Sequence, residues 1–330
     1  MLQDGFDPGV VSRAASVLAA GGLVAFPTET VYGLGARADD DAAVAGIFRM
    51  KGRPADHPLI VHVLGAAEAS LFAGDVPAVA RRLMDAFWPG PLTLIVQRAP
   101  PMARAAAAGQ ASIGLRCPSH PVARALLAAA ARLGVPGVAA PSANRFGRIS
   151  PTQAAHVVAE FGDELTVLDG GACEFGLESA IVDCSRGRPV LLRPGSLTRP
   201  QIERAAGEPL QSRDTDAPRT SGTLEAHYAP RAKLRLFCAA DLRAALARPV
   251  PGGQTVAVYS RTVTAHRPAL GGSDPPYRAM PGQAAQAGRE LFSVLRELDA
   301  EGVHQIWVEE PPDTPEWEAV RDRLQRAAAS

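Results

Sequence analysis

The strongest constraint on the fold is a series of short apolar runs, each separated from the next by a helical pattern or a turn signal. PLIVHV (58–63) and LTLIVQR (92–98) have the length and β-branched content of strands. A helical pattern at about 77–87 and a WPGP turn at 88–91 lie between them. Further strands are predicted at 112–117, 137–140, 165–169, 179–184 and 189–193. Many strands with interspersed helices predict one α/β domain of about 200 residues.

This pattern stops at residues 207–233, which are polar and rich in proline, glycine and threonine, as linkers are. The segment contains the motif HYAP at 227–230. A strand–helix rhythm then resumes and includes a long helix near 283–300, which is typical of a small parallel α/β domain. The sequence therefore predicts domains at 1–206 and 234–330, joined by a linker at 207–233.

The composition restricts the classes of partner. Lys plus Arg and Asp plus Glu number 34 each, so no overall charge attracts the chain to nucleic acid or to a membrane. No apolar run reaches the roughly 18 residues needed to span a bilayer. The four cysteines lack CxxC spacing. We expect a reduced, cytoplasmic protein that makes no membrane contact.

Several common catalytic motifs are missing from the sequence. It contains no G-x-x-x-x-G-K-[ST] phosphate loop, and GLGARA (33–38) lacks the third glycine of a dinucleotide fingerprint. No cysteine–histidine spacing suits zinc, and no G-x-S-x-G nucleophile elbow occurs. The usual nucleotide-binding and hydrolase motifs therefore do not apply.

Basic residues stand at the ends of several predicted elements, namely Lys51, Arg53, Arg116, Arg148 and Arg193. A single arginine at such a place is usually a solvated surface charge. Several of them at element ends favour a cleft that binds anions, because strand ends converge there.

Polar residues accompany these cations. Ser142 and Asn144 follow a predicted strand, and the segment 150–153 (SPTQ) has the form of a capping box, which predicts a helix beginning there. The free N–H groups of such a helix suit phosphate, although capping alone explains Ser150 equally well. Residues 198–201 (TRPQ) repeat the capping pattern. His62, at the end of a strand, is as compatible with a structural role as with a functional one.

A set of motifs, taken in order, resembles the YrdC-like family. The motifs are PTETVYGLG, KGRPADHPLIVHV, FWPGPLT, GLRCPSHPVA, PSANRFGRISPT, ESAIVD and LLRPGSLT. HYAP and the α/β tail resemble the long, two-domain form of that family, the threonylcarbamoyl-AMP synthases. The resemblance implies a twisted, mixed-sheet α/β domain with a large concave cleft. It also implies a linker that covers the cleft and a small Rossmann-like, parallel α/β C-terminal domain.

The resemblance also implies an activity, that of an L-threonylcarbamoyladenylate synthase, a nucleotidyltransferase. L-Threonine, bicarbonate or CO2, and ATP would give threonylcarbamoyl-AMP and pyrophosphate, for formation of N6-threonylcarbamoyladenosine in tRNA. Implied partners are a downstream threonylcarbamoyl transferase complex and, through a weak contact, tRNA. Mg2+ would be bound mainly through the ATP phosphates, with no metal site of protein ligands and no organic cofactor.

The matching motif positions indicate the site residues. On the threonine side they are Thr30, His62, Arg116, Ala140 and Ser179. On the ATP side they are Lys51, Arg53, His57, Ser112, Ser142, Asn144, Ser150, Arg193 and Tyr228. Lys51 and Arg53 are the expected catalytic residues, which would act through positioning and electrostatics rather than as a nucleophile or base. The sequence departs from the family at Ala180, where threonine is usual, and His57 stands where asparagine is also common.

The first motif, at 27–35, has its own expectations. Thr30 would face the substrate, Thr28 and Glu29 would brace the loop, Gly33 and Gly35 would turn the chain, and Tyr32 has no assigned role.

Two other functions are considered. One is carbamoyl transfer from carbamoyl phosphate, although the acylphosphatase and zinc-finger segments of such proteins are missing from the sequence. The other is an RNA-binding, translation-associated module, which the zero net charge and the lack of an aromatic–basic motif disfavour.

Overall fold

The computed structural model describes residues 1–223, 226–265 and 274–330, and the chain divides into two compact units. The first unit contains residues 1–146 and 150–223, so it includes most of the predicted linker. The second contains residues 147–149 and the described residues from 226 onward.

The first unit is an α/β domain. Its strands are β1 (Leu2–Asp4), β2 (Val24–Phe26), β3 (Gly33–Arg37), β4 (Ile60–His62), β5 (Ala73–Asp75), β6 (Leu92–Arg98), β7 (Ser112–Arg116), β8 (Val138–Ala139), β9 (Thr166–Asp169), β10 (Ala180–Asp183) and β11 (Val190–Arg193). Its helices are α1 (Pro8–Ala19), α2 (Asp41–Lys51), α3 (Ala66–Phe72), α4 (Ala78–Phe87), α5 (Pro121–Arg132), α6 (Ala154–Phe161) and α7 (Arg199–Ala206).

These strands form one sheet in the order β1-β9-β2-β3-β8-β4-β7-β6-β10-β11, with β5 paired to β6. Parallel pairs such as β4–β7 and β6–β10 alternate with antiparallel pairs such as β6–β7 and β10–β11. The predicted mixed α/β sheet is therefore confirmed.

Alternating side chains of the strands pack into separate cores on the two faces of the sheet. Val24 and Phe26 of β2 pack with α1 and α5. Ala25, between them, packs in the cluster that includes α2, α4 and α7. A third cluster, formed by Ile60, Ile95, Ile181, Val190 and Leu192, packs against Ala217 of the segment after α7. Part of the sheet is thus covered by segment 207–223 in place of a helix.

Helix α2 ends where two of the predicted site cations begin. The Asp40 carboxylate caps its first turn by accepting hydrogen bonds from the N–H groups of Ala42 and Ala43. Gly52 ends the helix in the left-handed conformation, with φ of 63°. This glycine lets the chain turn sharply between Lys51 and Arg53.

Two local expectations are wrong. Gly33 and Gly35 do not turn the chain, because they belong to β3, which pairs with β2 and β8. A Cβ atom at Gly35 would lie 2.7 Å from both Phe26 Cε1 and Val138 Cγ1, so this glycine permits close strand packing.

Ser150 does not cap a helix. Helix α6 begins at Ala154, and its N-cap, Gln153, makes no capping hydrogen bond through its side chain. The second predicted capping box is confirmed at α7, where the Gln201 side chain accepts a hydrogen bond from the Thr198 N–H at 2.8 Å.

The second unit repeats the strand–helix rhythm that the sequence predicts. It contains β12 (Lys233–Phe237), α8 (Ala239–Leu246), β13 (Val256–Ser260), β14 (Tyr277–Ala279), α9 (Ala284–Ala300), β15 (Gln305–Glu309) and α10 (Glu318–Ala328). Its sheet has the order β12-β15-β13-β14, and every pair is parallel. The predicted small parallel α/β domain is confirmed. No helix in the described ranges has the length and apolar character needed to cross a membrane.

Candidate functional site

A row of paired residues, one from each strand and here called the register line, crosses five strands of the first unit. His62 pairs with Arg116, Arg116 with Thr93, and Thr93 with Ile181. Ile181 in turn pairs with Arg193. Paired residues in neighbouring strands direct their side chains to the same face of a sheet. The sheet therefore places His62, Arg116 and Thr93 on one face. The pairing is irregular at Ile181, and Arg193 is brought to this face by its hydrogen bond to the Ser179 hydroxyl at 3.2 Å.

Arg116 forms a buried ion pair with Glu29. Arg116 Nη2 lies 2.7 Å from Glu29 Oε1, and their side chains are 5% and 2% exposed. The other carboxylate oxygen of Glu29 accepts a hydrogen bond from the Ser119 N–H at 3.1 Å. Although burial opposes ionisation, the adjacent guanidinium and these hydrogen bonds leave the pKa of Glu29 below its usual value. Glu29 therefore does more than brace its own loop, because it supplies the counter-charge of Arg116.

The Arg116 guanidinium keeps buried donors beside this ion pair. Its Nε atom is buried without a hydrogen-bond partner among the described residues, and Nη2, which lies 2.7 Å from Glu29 Oε1, carries a second N–H group. These two atoms form one edge of the guanidinium, which is the edge that binds a carboxylate in two parallel hydrogen bonds. The Nδ1 atom of His62, the neighbour of Arg116 across the sheet, is also buried without a hydrogen-bond partner in the described part of the chain. Arg116 and His62 thus present polar atoms suited to a buried polar ligand.

His62 is neutral in this environment. Burial and the charge of Arg116 lower its pKa from 6.5 to about 3. Its ring lies edge-on to Phe26, with the ring centres 6.1 Å apart. The imidazole can therefore act as a neutral hydrogen-bonding group.

The loop between β2 and β3 carries Thr30. The Thr28 hydroxyl lies 2.8 Å from the Thr30 hydroxyl and donates to the Val31 carbonyl at 2.7 Å. Thr28 therefore braces the loop, as expected. Tyr32 is also structural, because its hydroxyl donates to the Gly171 carbonyl at 2.7 Å. Ala140 follows β8, and its N–H donates to the Ile60 carbonyl at 2.9 Å.

Ser179 lies directly before β10 and contacts residues of two neighbouring strands. Its hydroxyl is 2.7 Å from the Thr93 hydroxyl and accepts a hydrogen bond from Arg193 Nη2 at 3.2 Å. Arg193 also donates to the Ser179 carbonyl through Nε and Nη2. A predicted threonine-side residue and a predicted ATP-side residue are thus in direct contact.

Lys51 organises the segment that contains Ser142 and Asn144. Its ammonium group donates to the carbonyl oxygens of both residues, at 2.6 Å to Ser142. Lys51 is buried, and desolvation together with the charge of Arg53 lowers its pKa well below the usual value. Two of its three N–H donors are used in these contacts.

Arg53 and Arg193 meet at Ser221, within segment 207–223. Arg53 Nη2 donates to the Ser221 hydroxyl at 3.1 Å, and Arg193 Nη1 donates to the Ser221 carbonyl at 2.9 Å. Ser112 and Ser221 line the same groove beside Ile60. The His57 ring packs against Phe146 with ring centres 5.3 Å apart. The first unit therefore brings Arg53, Arg193 and Ser112 to the segment around Ser221.

Ser150 contacts a buried carboxylate. Its hydroxyl donates to Glu178 Oε1 at 2.5 Å. Sequence reasoning placed Arg148 among the cleft cations, but Arg148 belongs to the second unit, where its guanidinium lies 3.5 Å from Asp299.

Tyr228 lies in the second unit. Its ring stacks on Phe292 of α9, with centres 5.3 Å apart, and the Arg323 guanidinium lies 5.6 Å from the ring centre. Its φ of 65° is rare for a residue other than glycine. Its expected contact with ATP stays a prediction.

The described residues do not offer a metal site of protein ligands. No group of three or more His, Cys, Asp and Glu side chains among them could hold a metal ion. The expected Mg2+, bound mainly through the ATP phosphates, stays a prediction, and no step below depends on it.

Sequence reasoning missed three residues that contact the predicted site, namely Thr93, Glu178 and Ser221. Thr93 carried a usable signal, because it is the polar exception in the apolar part of LTLIVQR, and a buried hydroxyl requires a partner. Ser221 carried no such signal within a polar linker.

Two family models match the chain. A model described as telomere recombination, for the Sua5, YciO and YrdC proteins, matches residues 16–195. A second model, described as the C-terminal domain of threonylcarbamoyl-AMP synthase, matches residues 197–329.

Individual relatives match over nearly their whole length. The threonylcarbamoyl-AMP synthase of Bacillus subtilis is 37% identical and covers 96% of this chain and 92% of its own length. The protein of the same name from Pyrococcus abyssi is 35% identical, with coverages of 96% and 93%. The crystal structure of P. abyssi Sua5 complexed with L-threonine has a TM-score of 0.87 at 33% identity, covering 99% of this chain and 96% of its own. This chain therefore belongs to the threonylcarbamoyl-AMP synthase family, in its long, two-domain form.

Proposed function

We propose that this chain condenses L-threonine, bicarbonate or CO2, and ATP into threonylcarbamoyl-AMP and pyrophosphate. The register line from His62 through Arg116 and Thr93 to Arg193 carries the proposal. It brings together a buried fork for a carboxylate and a cation for a phosphate. The relatives that bear the synthase name and cover most of the chain support the same reaction.

Arg116 binds the threonine carboxylate in this proposal. Its Nε N–H group and the second Nη2 N–H group, beside the one that faces Glu29, match the two oxygens of a carboxylate, a geometry that lysine does not reproduce. Thr30, His62, Ala140 and Ser179 complete the threonine pocket. Neutral His62 supplies a polar partner without adding charge, which suits discrimination between threonine and valine by the side-chain hydroxyl.

The ATP side lies around Ser221 and Lys51. Lys51, Arg53 and Arg193 neutralise the phosphate charge as it redistributes, while Ser112, Ser142, Asn144 and Ser150 position the nucleotide. His57 and Tyr228 are assigned to the same side by their motif positions. The expected Mg2+ would supply further neutralisation of the triphosphate while bound to its oxygens.

The reaction needs no protein nucleophile. The threonine amine and bicarbonate give a carbamate and water, and a carbamate oxygen attacks the α-phosphate as pyrophosphate leaves. Arg116 and the phosphate-side cations hold the reacting groups together, and positioning of this kind contributes up to about 7–11 kcal/mol. Ser221 of segment 207–223 accepts hydrogen bonds from Arg53 and Arg193. In this proposal ATP displaces the segment from these two cations as it binds. The segment then closes over the bound substrates and keeps water away from the labile intermediates.

Pyrophosphate release from ATP tests the proposal when each amino acid is supplied with and without bicarbonate. We expect release that requires both threonine and bicarbonate, with valine far less effective. Arg116→Ala should abolish threonine-dependent pyrophosphate release, whereas Arg132→Ala, at the exposed end of α5, should leave it unchanged. Pyrophosphate release that is the same with every amino acid, or normal threonine-dependent release by Arg116→Ala, would contradict the proposal.

The finer parts of the sequence expectation remain proposals. These are the use of bicarbonate, the transfer of the product to a transferase complex, a weak contact with tRNA and a cytoplasmic location. The carbamoyltransferase and RNA-binding alternatives are not favoured, because the full-length relatives carry the synthase name.

A further inference from the structure

The Ser179 hydroxyl lies between two groups on the site face of the sheet. Its Oγ atom is 2.7 Å from Thr93 Oγ1 and 3.2 Å from Arg193 Nη2. Ser179 and Thr93 are both fully buried. The number of donors and acceptors available therefore restricts the direction of each hydrogen bond.

The Arg193 contact has only one direction. A guanidinium has donors and no acceptor, so Arg193 donates and Ser179 accepts. One of the two acceptor positions on the Ser179 oxygen is thereby occupied.

The direction of the Thr93 contact depends on the ligand, because either hydroxyl can donate. Among residues 1–223, 226–265 and 274–330, Ser179 Oγ is the only hydrogen-bond partner of the Thr93 hydroxyl. Without a ligand, each direction leaves one buried hydroxyl hydrogen without an acceptor, at the same cost of about 1–3 kcal/mol. A ligand oxygen beside Ser179 decides between the two directions, because only donation from Thr93 to Ser179 then gives both hydroxyl hydrogens an acceptor, and Ser179 accepts a second time.

Accepting twice leaves the Ser179 hydrogen as its remaining bonding group. That hydrogen has no acceptor among the described side chains or carbonyls near it. A hydroxyl that accepts hydrogen bonds also becomes a better donor, because hydrogen bonds in a chain polarise one another. Ser179 is thus prepared to donate to an oxygen of a ligand.

The position of Ser179 indicates which ligand oxygen it meets. It contacts Arg193 on the phosphate side, and Thr93 pairs with Arg116 on the carboxylate side. The carbamate joins the threonine to the α-phosphate, so its oxygens lie between those two ends. We propose that Thr93 is a positioning residue that fixes Ser179 as a hydrogen-bond donor to a carbamate oxygen of the substrate. This inference rests on the proposed synthase function.

Thr93→Val tests the inference, because valine keeps the shape of threonine and replaces the hydroxyl with a methyl group. We expect kcat/KM for threonine to fall about three- to tenfold, the effect of one net hydrogen bond. Thr93→Ser restores the hydroxyl and should recover most of this loss. Thermal unfolding of each variant checks that the fold is retained.

The double variant Thr93→Val with Ser179→Ala tests whether Thr93 acts through Ser179. In the Ser179→Ala background, Thr93→Val should have no further effect on the rate of threonine-dependent pyrophosphate release. Calorimetric binding of threonine in the presence of bicarbonate and a non-hydrolysable ATP analogue gives the same comparison if the rates become too low.

Three results would overturn the inference. They are an unchanged kcat/KM in Thr93→Val, equal losses in Thr93→Val and Thr93→Ser, and a full Thr93→Val effect without the Ser179 hydroxyl. Failure of the proposed function looks different, because the wild-type chain would then release no pyrophosphate in response to threonine.

Discussion

One charged residue of the site, Arg116, is buried beside its counter-charge. Glu29 and Arg116 are distant in the chain, yet their side chains are nearly inaccessible and 2.7 Å apart. Such a pair adds little stability compared with apolar residues, but removal of one partner leaves the other as an uncompensated buried charge. The pair can therefore be detected by the loss of unfolding free energy when one partner is removed.

Glu29→Gln should destabilise the protein by about 3–5 kcal/mol, because Arg116 would remain buried without its carboxylate. Denaturant unfolding at pH 7 measures the change. Asp214→Asn, which breaks the exposed pair with Arg186, is the matched control and should leave the midpoint near that of the wild type.

The same pair predicts an acid sensitivity. The folded-state pKa of Glu29 is lowered, so its contribution is present above the unfolded pKa and is lost as pH falls through the folded pKa. The difference in unfolding free energy between the wild type and Glu29→Gln should therefore become smaller as the pH falls into the acid range. A difference that does not change with pH would contradict the assigned charge state of Glu29.

His62 gives a second pH dependence at higher pH. Its pKa is about 3 in the fold and 6.5 in the unfolded chain, so below pH 6.5 only the unfolded chain binds this proton. Stability should fall as the pH decreases from 6.5 toward 3, by roughly 1 kcal/mol per pH unit once the pH is well below 6.5. His62→Gln should remove about 2 kcal/mol of the loss between pH 6.5 and 5. Thermal or denaturant unfolding across this range measures it, with exposed His304→Gln as the control.

At the scale of single elements, strand β3 shows that neighbouring strands can determine the conformation of a glycine-rich segment. The sequence GLGAR reads as a turn, because glycine has a low strand propensity. The structure nevertheless places it between β2 and β8, where Phe26 and Val138 leave no space for a side chain at Gly35.

Gly35→Ala should destabilise the first unit by about 1–3 kcal/mol, the usual cost of overpacking a core. Gly46→Ala in α2 is the matched control, because its Cβ atom would meet Leu23 at an ordinary 3.6 Å. This second change should stabilise the helix by roughly 0.5–1 kcal/mol. We therefore expect the unfolding midpoint to fall in Gly35→Ala and to rise in Gly46→Ala. Equal shifts of the two midpoints would contradict the packing argument.

At the scale of the whole molecule, much of the fold followed from the sequence and much of the site did not. Strand runs such as LTLIVQR and the parallel sheet of the second unit were predictable from local periodicity. The partners of the site residues were not, because Glu29 with Arg116 and Ser150 with Glu178 are contacts between distant segments. SPTQ resembles a capping box, but the buried carboxylate of Glu178 takes the Ser150 hydroxyl instead.

Segment 207–223 belongs to the first unit by its contacts, although its composition is that of a linker. Gln211 donates to the Pro189 carbonyl and accepts from the Leu191 N–H, and Ala217 covers the third apolar cluster. The compact unit therefore extends beyond α7.

A fragment of residues 1–223 should unfold cooperatively, and a fragment of residues 1–206 should be less stable. Loss of the two hydrogen bonds of Gln211 removes about 2 kcal/mol, which corresponds to a midpoint lower by roughly 4–8 °C. Calorimetry on both fragments measures the difference. Equal midpoints would show that segment 207–223 contributes nothing to the stability of the unit.

The register line has a consequence for synthesis of the protein on the ribosome. His62, Arg116, Thr93 and Arg193 come from four strands, and Arg193 is the last residue of the last strand in that sheet. A nascent chain that has not yet released β11 lacks one wall of the site, however well its earlier strands have folded. In the proposed site, a nascent chain whose β11 is still inside the ribosome therefore cannot bind all of the substrates, because Arg193 is not yet in place.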